Sequence, residues 1–120
     1  WVIHNNISER ALANLYLQTS VLAVTSLYEG FGMPVLEGAY LGAKIVSLHD
    51  LPSVREILGD NFAIGNNCNP EKFARLIENT HEAGNPISEI SRRELSEQYS
   101  WEKSAKMIEQ QLRFYDVFGD

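Results

Sequence analysis

The sequence is short of sulfur, of basic residues and of long apolar runs, and each shortage excludes something. One cysteine, Cys68, stands among 120 residues. It has no partner for an internal bridge and no second thiolate for a metal site, which fits a reducing, cytoplasmic compartment. Ten Lys and Arg face 16 Asp and Glu, a formal charge of −6. A net-negative surface without basic clusters excludes nucleic-acid phosphates and an anionic bilayer as partners of this segment, because like charges repel. Arg92-Arg93 is too short to reverse that. No segment approaches the roughly 18 apolar residues needed to span a membrane, and no charged-then-apolar leader opens the chain. His4 and His81 have no partner at metal-ligand spacing and read as structural or exposed, so no metal cofactor is expected of them. What remains, 44% hydrophobic and 22% charged residues, is the composition of one soluble globular domain over 1–120 with a single core. The opening Trp1-Val2-Ile3, without an initiating Met, reads as a piece of something longer.

Apolar patterning alternates between two periods. Trp1 to His4 reads as a short strand. Ser8 then suits an N-cap, with Ile7 and Leu12 spaced as a hydrophobic staple and Ala11, Leu12, Leu15 and Tyr16 at helical spacing. Val21-Leu22-Ala23-Val24 is a short apolar run, as in a strand buried on both faces of a parallel sheet. Pro34 suits a helix start, with Leu36, Ala39, Tyr40 and Ala43 as its apolar side. Lys44 to Leu48 reads as the next strand, Pro52 to Leu58 as a helix stopped by Gly59, and Phe62 to Ile64 as a short strand. Asn69 caps a helix bearing Phe73, Leu76, Ile77 and Thr80, closed by Gly84. A polar helix runs to about Tyr99, and Ser100 caps a last one in which Trp101, Ala105, Ile108, Leu112 and Tyr115 form a stripe. Strand and helix alternate with short connections, which predicts an α/β fold: a Rossmann-like parallel sheet flanked by helices.

Open parallel sheets bind ligands outside the carboxyl ends of their strands. The loop after Val24 therefore carries the first candidate site. It delivers Glu29, Gly30 and Gly32, and then the N-terminus of a helix, where N–H groups and the dipole favour an anion such as phosphate. Pro34 offers no donor, so the available N–H groups are those of Met33, Val35 and Leu36. Glu29 and Glu37, eight positions apart, bracket the turn and are placed to share one crevice. An ionised carboxylate matches paired hydroxyls of a sugar or ribose, so two beside a phosphate site suggest a sugar nucleotide. A helix-start Glu also serves the dipole, and Gly-x-Gly also makes a plain tight turn; on these residues alone both readings stand.

The block from Ser26 to Glu37, Ser-Leu-Tyr-Glu-Gly-Phe-Gly-Met-Pro-Val-Leu-Glu, resembles the E-x7-E signature of the retaining glycosyltransferases called group 1 or family 4. The likeness continues upstream in Ser8 to Tyr16 and downstream in Ser47, Leu51-Pro52, Glu56 to Asp60 and the Tyr99-Ser100-Trp101-Glu102 element. It departs at Glu37-Gly38-Ala39-Tyr40, where the family commonly reads Glu-Ala-Met-Ala; a helical glycine costs about 1 kcal/mol. The resemblance implies the C-terminal, donor-binding part of a GT-B fold. It places Glu29 at the transferred sugar as the catalytic residue. Gly30, Phe31, Gly32, Met33 and Val35 lie at sugar and diphosphate, and Glu37 at the ribose, generally without a bound metal. The implied partners are a nucleotide sugar and an N-terminal acceptor domain. The basic pair that clamps the diphosphate lies outside this sequence, so the 120 residues alone are expected to be inactive.

Other residues carry plainer readings. His49 and Asp50 fall in the loop after the second strand, on the carboxyl-end side, where a His–Asp pair can contact donor or acceptor; the plainer reading is a solvated polar loop, with Asp50 helping to cap the next helix. Cys68 is a surface or edge thiol. Trp101, Phe114, Tyr115 and Phe118 on the terminal helix read as core more than as a ligand platform, with part of the stripe left bare to promote self-association, since the family's last helix crosses back to the N-terminal domain. The alternative class is a non-catalytic nucleotide-binding or interaction module of the same fold. A phosphoacceptor receiver domain is excluded by the lack of paired acids after the first strand. A dinucleotide-binding dehydrogenase is disfavoured by the missing third glycine.

Overall fold

A computed structural model describes residues 2–114. It contains α1 (Glu9–Gln18), β1 (Val21–Val24), α2 (Met33–Tyr40), β2 (Lys44–Ser47), α3 (Pro52–Leu58), β3 (Ala63–Ile64), α4 (Pro70–Glu82), α5 (Glu89–Gln98) and α6 (Trp101–Phe114). The three strands form one parallel sheet in the order β1-β2-β3, with Val21 to Val24 opposite Lys44 to Ser47 and Val46-Ser47 opposite Ala63-Ile64. The expected α/β class and parallel sheet are observed.

Local chemistry sets most helix boundaries. Ser8 accepts from the Ala11 N–H, Asn69 from Lys72 and Ser100 from Lys103, each supplying a partner to an end-of-helix donor. Ser88 does the same for α5 by accepting from Ser91. Gly59 ends α3 as predicted, while α4 ends at Glu82, two residues before Gly84, with Ala83 as its C-cap.

Side chains alternate across the strands. Leu22, Val24 and Ile45 join one cluster with Val35, Ala39, Val54, Ile57, Leu58, Ile87 and Leu95 from α2, α3, α5 and its lead-in. Val46 and Lys44 project the other way. There Lys44 Nζ donates to the carbonyls of His81 at 2.5 Å and Ala83 at 2.6 Å, tying β2 to the end of α4.

Four expectations change. Val2 to His4 is exposed and forms no strand, because it pairs with no neighbour among the described residues. Ala23 is exposed, so β1 is not covered on both faces. Tyr40 turns outward, and α2 packs instead through Val35, Gly38 and Ala39. A Cβ on Gly38 would stand 2.8 Å from Leu22 Cδ2 and 3.7 Å from Tyr16, so the glycine lets α2 approach β1 and α1. The stripe on α6 is bare rather than core: Trp101 is 92% exposed, and Met107 and Ile108 are exposed as well. Trp1, Tyr115 and Phe118 lie outside the described residues, as do the side chains of Leu112 and Phe114.

Candidate functional site

The site begins where β1 ends. Thr25 to Phe31 leave the sheet as a loop, and Gly32 turns the chain into α2 with φ of 91°, a left-handed conformation that L side chains adopt only with strain. From there its carbonyl accepts from Val35 N–H at 2.9 Å and Leu36 N–H at 3.1 Å. Two of the three candidate anion donors are thus committed to the helix, and Val35 is 1% exposed. Met33 is the donor of the three that those bonds leave over.

Phe31 is held from outside the turn. Its ring meets Tyr99 edge-on, with centroids 5.4 Å apart at 67°, and the Tyr99 hydroxyl donates to the Glu56 carbonyl at 3.0 Å. Burial, and then the Glu56 carboxylate, push the Tyr99 phenol up, so it stays protonated and able to donate. Tyr99→Phe is expected to lose about 1 kcal/mol of stability, one hydrogen bond. Tyr99→Ala, which also removes the ring, is expected to lose about 3 kcal/mol. Urea unfolding of the two variants measures the difference.

Glu29 and Glu37 do not share a crevice. Glu29 lines a cavity of about 520 Å³ at the carboxyl ends of the strands, with Tyr28 and Gly30 from the first loop, His49 and Asp50 from the second, Ser53 and Glu56 from α3, and Asn67 from the third loop. Glu37 lines another of about 390 Å³ with Glu9, Leu12, Tyr16 and Leu41, between α1 and α2. The reason is rotation: Glu37 sits one helical turn on, and its side of α2 faces Tyr16. Burial first, then the Glu37 charge and a hydrogen bond to it, push the Tyr16 phenol up. The glycine turn thus separates two carboxylate-bearing cavities.

The second loop is more ordered than its polar sequence implies. The buried Ser47 hydroxyl donates to the His49 carbonyl at 2.6 Å, and His49 Nδ1 hydrogen-bonds Asn67 Oδ1. Asn67 holds a left-handed φ of 58° while its N–H donates to Leu48 O at 3.0 Å. Asp50 does not cap α3. It takes Arg55 bidentately, at 2.6 and 3.0 Å, and Arg55 also reaches Asp60 at 2.7 Å. The hydrogen bonds from Arg55 hold the Asp50 carboxyl below its ordinary range. Ser53 and Glu56 complete the wall. Ser53 and Asn67 carry no signal of a site in the sequence, and the meeting of His49 with Asn67 depends on strand pairing. Among the described residues no Lys or Arg lines either cavity, no group of His, Cys, Asp and Glu has metal-site geometry, and no helix is long and apolar enough to cross a membrane.

Comparison with known proteins then yields three findings. The family model described as "Glycosyl transferases group 1" matches residues 2–110. Two Escherichia coli proteins, each named serotype-specific mannosyltransferase WbdA, are 32% identical to the chain over 73 residues, which is 61% of this chain and 9% of each relative. The chain thus spans under a tenth of the length of these curated relatives. No solved structure matches.

Proposed function

Because the chain belongs to the group 1 glycosyl transferases, we propose that it is the C-terminal part of the donor-binding domain in a larger two-domain GT-B enzyme, one that transfers a sugar from a nucleotide sugar with retention at the anomeric carbon. The observation that carries this reading is the turn between two carboxylate-bearing cavities. A donor laid across Gly30 to Met33 would set its sugar beside Glu29 and its ribose beside Glu37. Glu37 lies five residues beyond Gly32, about 7 Å along the helix axis, a reach suited to the diphosphate between the two sugars.

The roles follow from charge. As the bond from the anomeric carbon to the diphosphate lengthens, positive charge grows on the sugar ring and negative charge on the leaving oxygens. Glu29 stabilises the first. The Met33 N–H and the positive end of α2 meet the second. They are one helix end against a diphosphate. The basic groups that complete the clamp therefore belong to another part of the enzyme, and residues 1–120 alone have no transferase activity on this reading. The exposed Trp101, Met107 and Ile108 on α6 face the partner domain that carries the acceptor, or a second copy of the chain when that domain is absent. A cytoplasmic setting supplies the nucleotide sugar. The WbdA likeness makes a mannosyl group the first sugar to try.

The test is titration of the complete enzyme with a panel of nucleotide sugars, with and without Glu37→Ala. Loss of a carboxylate bound to ribose hydroxyls is expected to weaken the preferred donor by about tenfold to a hundredfold, the range for hydrogen bonds to a charged group. Unchanged affinity for every donor defeats the ribose assignment.

A further inference from the structure

Three residues in the 520 Å³ cavity, His49, Ser53 and Asn67, have no part in the donor reading, and the cavity runs along the carboxyl ends of the strands. Glu29 follows β1, His49 follows β2 and Asn67 follows β3, so the cavity extends from the glycine turn toward the far strand. His49 is set in place before any ligand arrives. Its carbonyl is held by Ser47 Oγ and its Nδ1 by Asn67, while Asn67 is itself fixed through Leu48. Nε2 is the ring's remaining hydrogen-bonding atom. Ser53, on the same wall, is only 9% exposed, and its Oγ is buried with no hydrogen-bond partner among the described residues. A buried hydroxyl left unpaired is destabilising, and native proteins keep few of them. The charges on this wall are those of Glu29, Asp50 and Glu56, with Arg55 outside the lining and engaged by Asp50 and Asp60. On the His49 and Asn67 side, away from the N-terminus of α2, such a lining disfavours phosphates and sugar acids and suits a neutral polyol, whose hydroxyls both donate to carboxylates and accept from imidazole or serine.

We propose that His49, positioned by Asn67, and Ser53 form a second hydroxyl-binding subsite for a neutral saccharide, on the β2–β3 side of Glu29. This rests on the glycosyl-transfer reading above. The shared chemistry is a saccharide hydroxyl, which either the transferred sugar or the acceptor sugar supplies.

Steady-state kinetics of the complete enzyme separates the sources. His49→Ala, Asn67→Gly and Ser53→Ala are compared with the parent; glycine at 67 deletes the amide while tolerating the positive φ. The expected result is a fivefold to fiftyfold rise in one KM, the donor's if the transferred sugar binds here and the acceptor's if the acceptor does. The His49 and Asn67 effects should be less than additive when combined, because Asn67 acts through His49. Ser53→Ala is the sharpest arm. A hydroxyl without a ligand is removed with unchanged KM and an unchanged or raised Tm, whereas a ligand-binding hydroxyl raises KM without lowering Tm. Both KM values within twofold of the parent in all three folded variants overturn the subsite. If Glu29→Gln nevertheless impairs turnover in the same assay, the glycosyl-transfer reading stands without it. If Glu29→Gln is also without effect, the underlying reading has failed.

Discussion

Glu29→Gln is expected to lower kcat of the complete enzyme by about 10²- to 10³-fold, the usual effect of removing one preorganised group from a charge that develops in the transition state. The substitution keeps the shape and one hydrogen-bond acceptor of the side chain and removes only its charge. Ground-state contacts to sugar hydroxyls are therefore largely retained, and the donor KM is expected to change by less than about tenfold. Glu29 is half-buried at the rim of the cavity beside Gly30. Water competes there less than at an open surface, so its charge acts at closer to full strength. Glu29→Asp, which withdraws the carboxylate by one methylene, should fall between. The opposite pattern, an unchanged kcat with a raised KM, would make Glu29 a binding group and leave the charge on the sugar ring to another residue.

How much of this was readable depended on how local each cause is. Ser8, Asn69 and Ser100 cap helices within three residues of themselves, so sequence alone identified them. The runs at 21–24 and 44–47 form strands: the first is apolar throughout, and the second centres on the β-branched pair Ile45-Val46. Coverage of those strands was not readable. Whether Ala23 is buried depends on which helix lies over it, and Tyr40 turned out because Gly38 draws the adjacent side of α2 inward. Asp50 does not cap α3 as its position suggests, because Arg55 supplies it two parallel bonds where a cap supplies one. The site divides the same way. Glu29, Glu37 and the glycines are close in sequence and announced themselves by spacing. His49 and Asn67 are eighteen positions apart. They meet only because β2 pairs with β3 in the register that sets Ser47 opposite Ile64. That register is a tertiary fact with no signature in either loop.

The same asymmetry of coverage gives the largest stability prediction. Ile45→Asp is expected to abolish the folded state. Ile45 is 1% exposed on the central strand, packed into the cluster that joins the sheet to α2, α3 and α5. Removing its side chain alone would cost about 2 to 5 kcal/mol. The carboxylate adds several more, since it would be buried without a counter-ion. The nearest cation in sequence, Lys44, points to the opposite face and is held by two carbonyls at the end of α4. A domain of this size has about 5 to 15 kcal/mol in all. This one is expected near the lower end, because α6 projects its apolar residues into solvent rather than into the core. Ile45→Val, by contrast, should cost about 1 kcal/mol. The discriminating partner is Ala23→Lys. Ala23 pairs with Val46 in the same sheet, yet it is exposed. A charge there should cost no more than about 1 kcal/mol, as at other surface positions. Urea unfolding followed by far-UV circular dichroism reads all three: no cooperative transition for Ile45→Asp, and near-parental midpoints for the other two. A collapse of Ala23→Lys as well would mean that this face of β1 is buried after all.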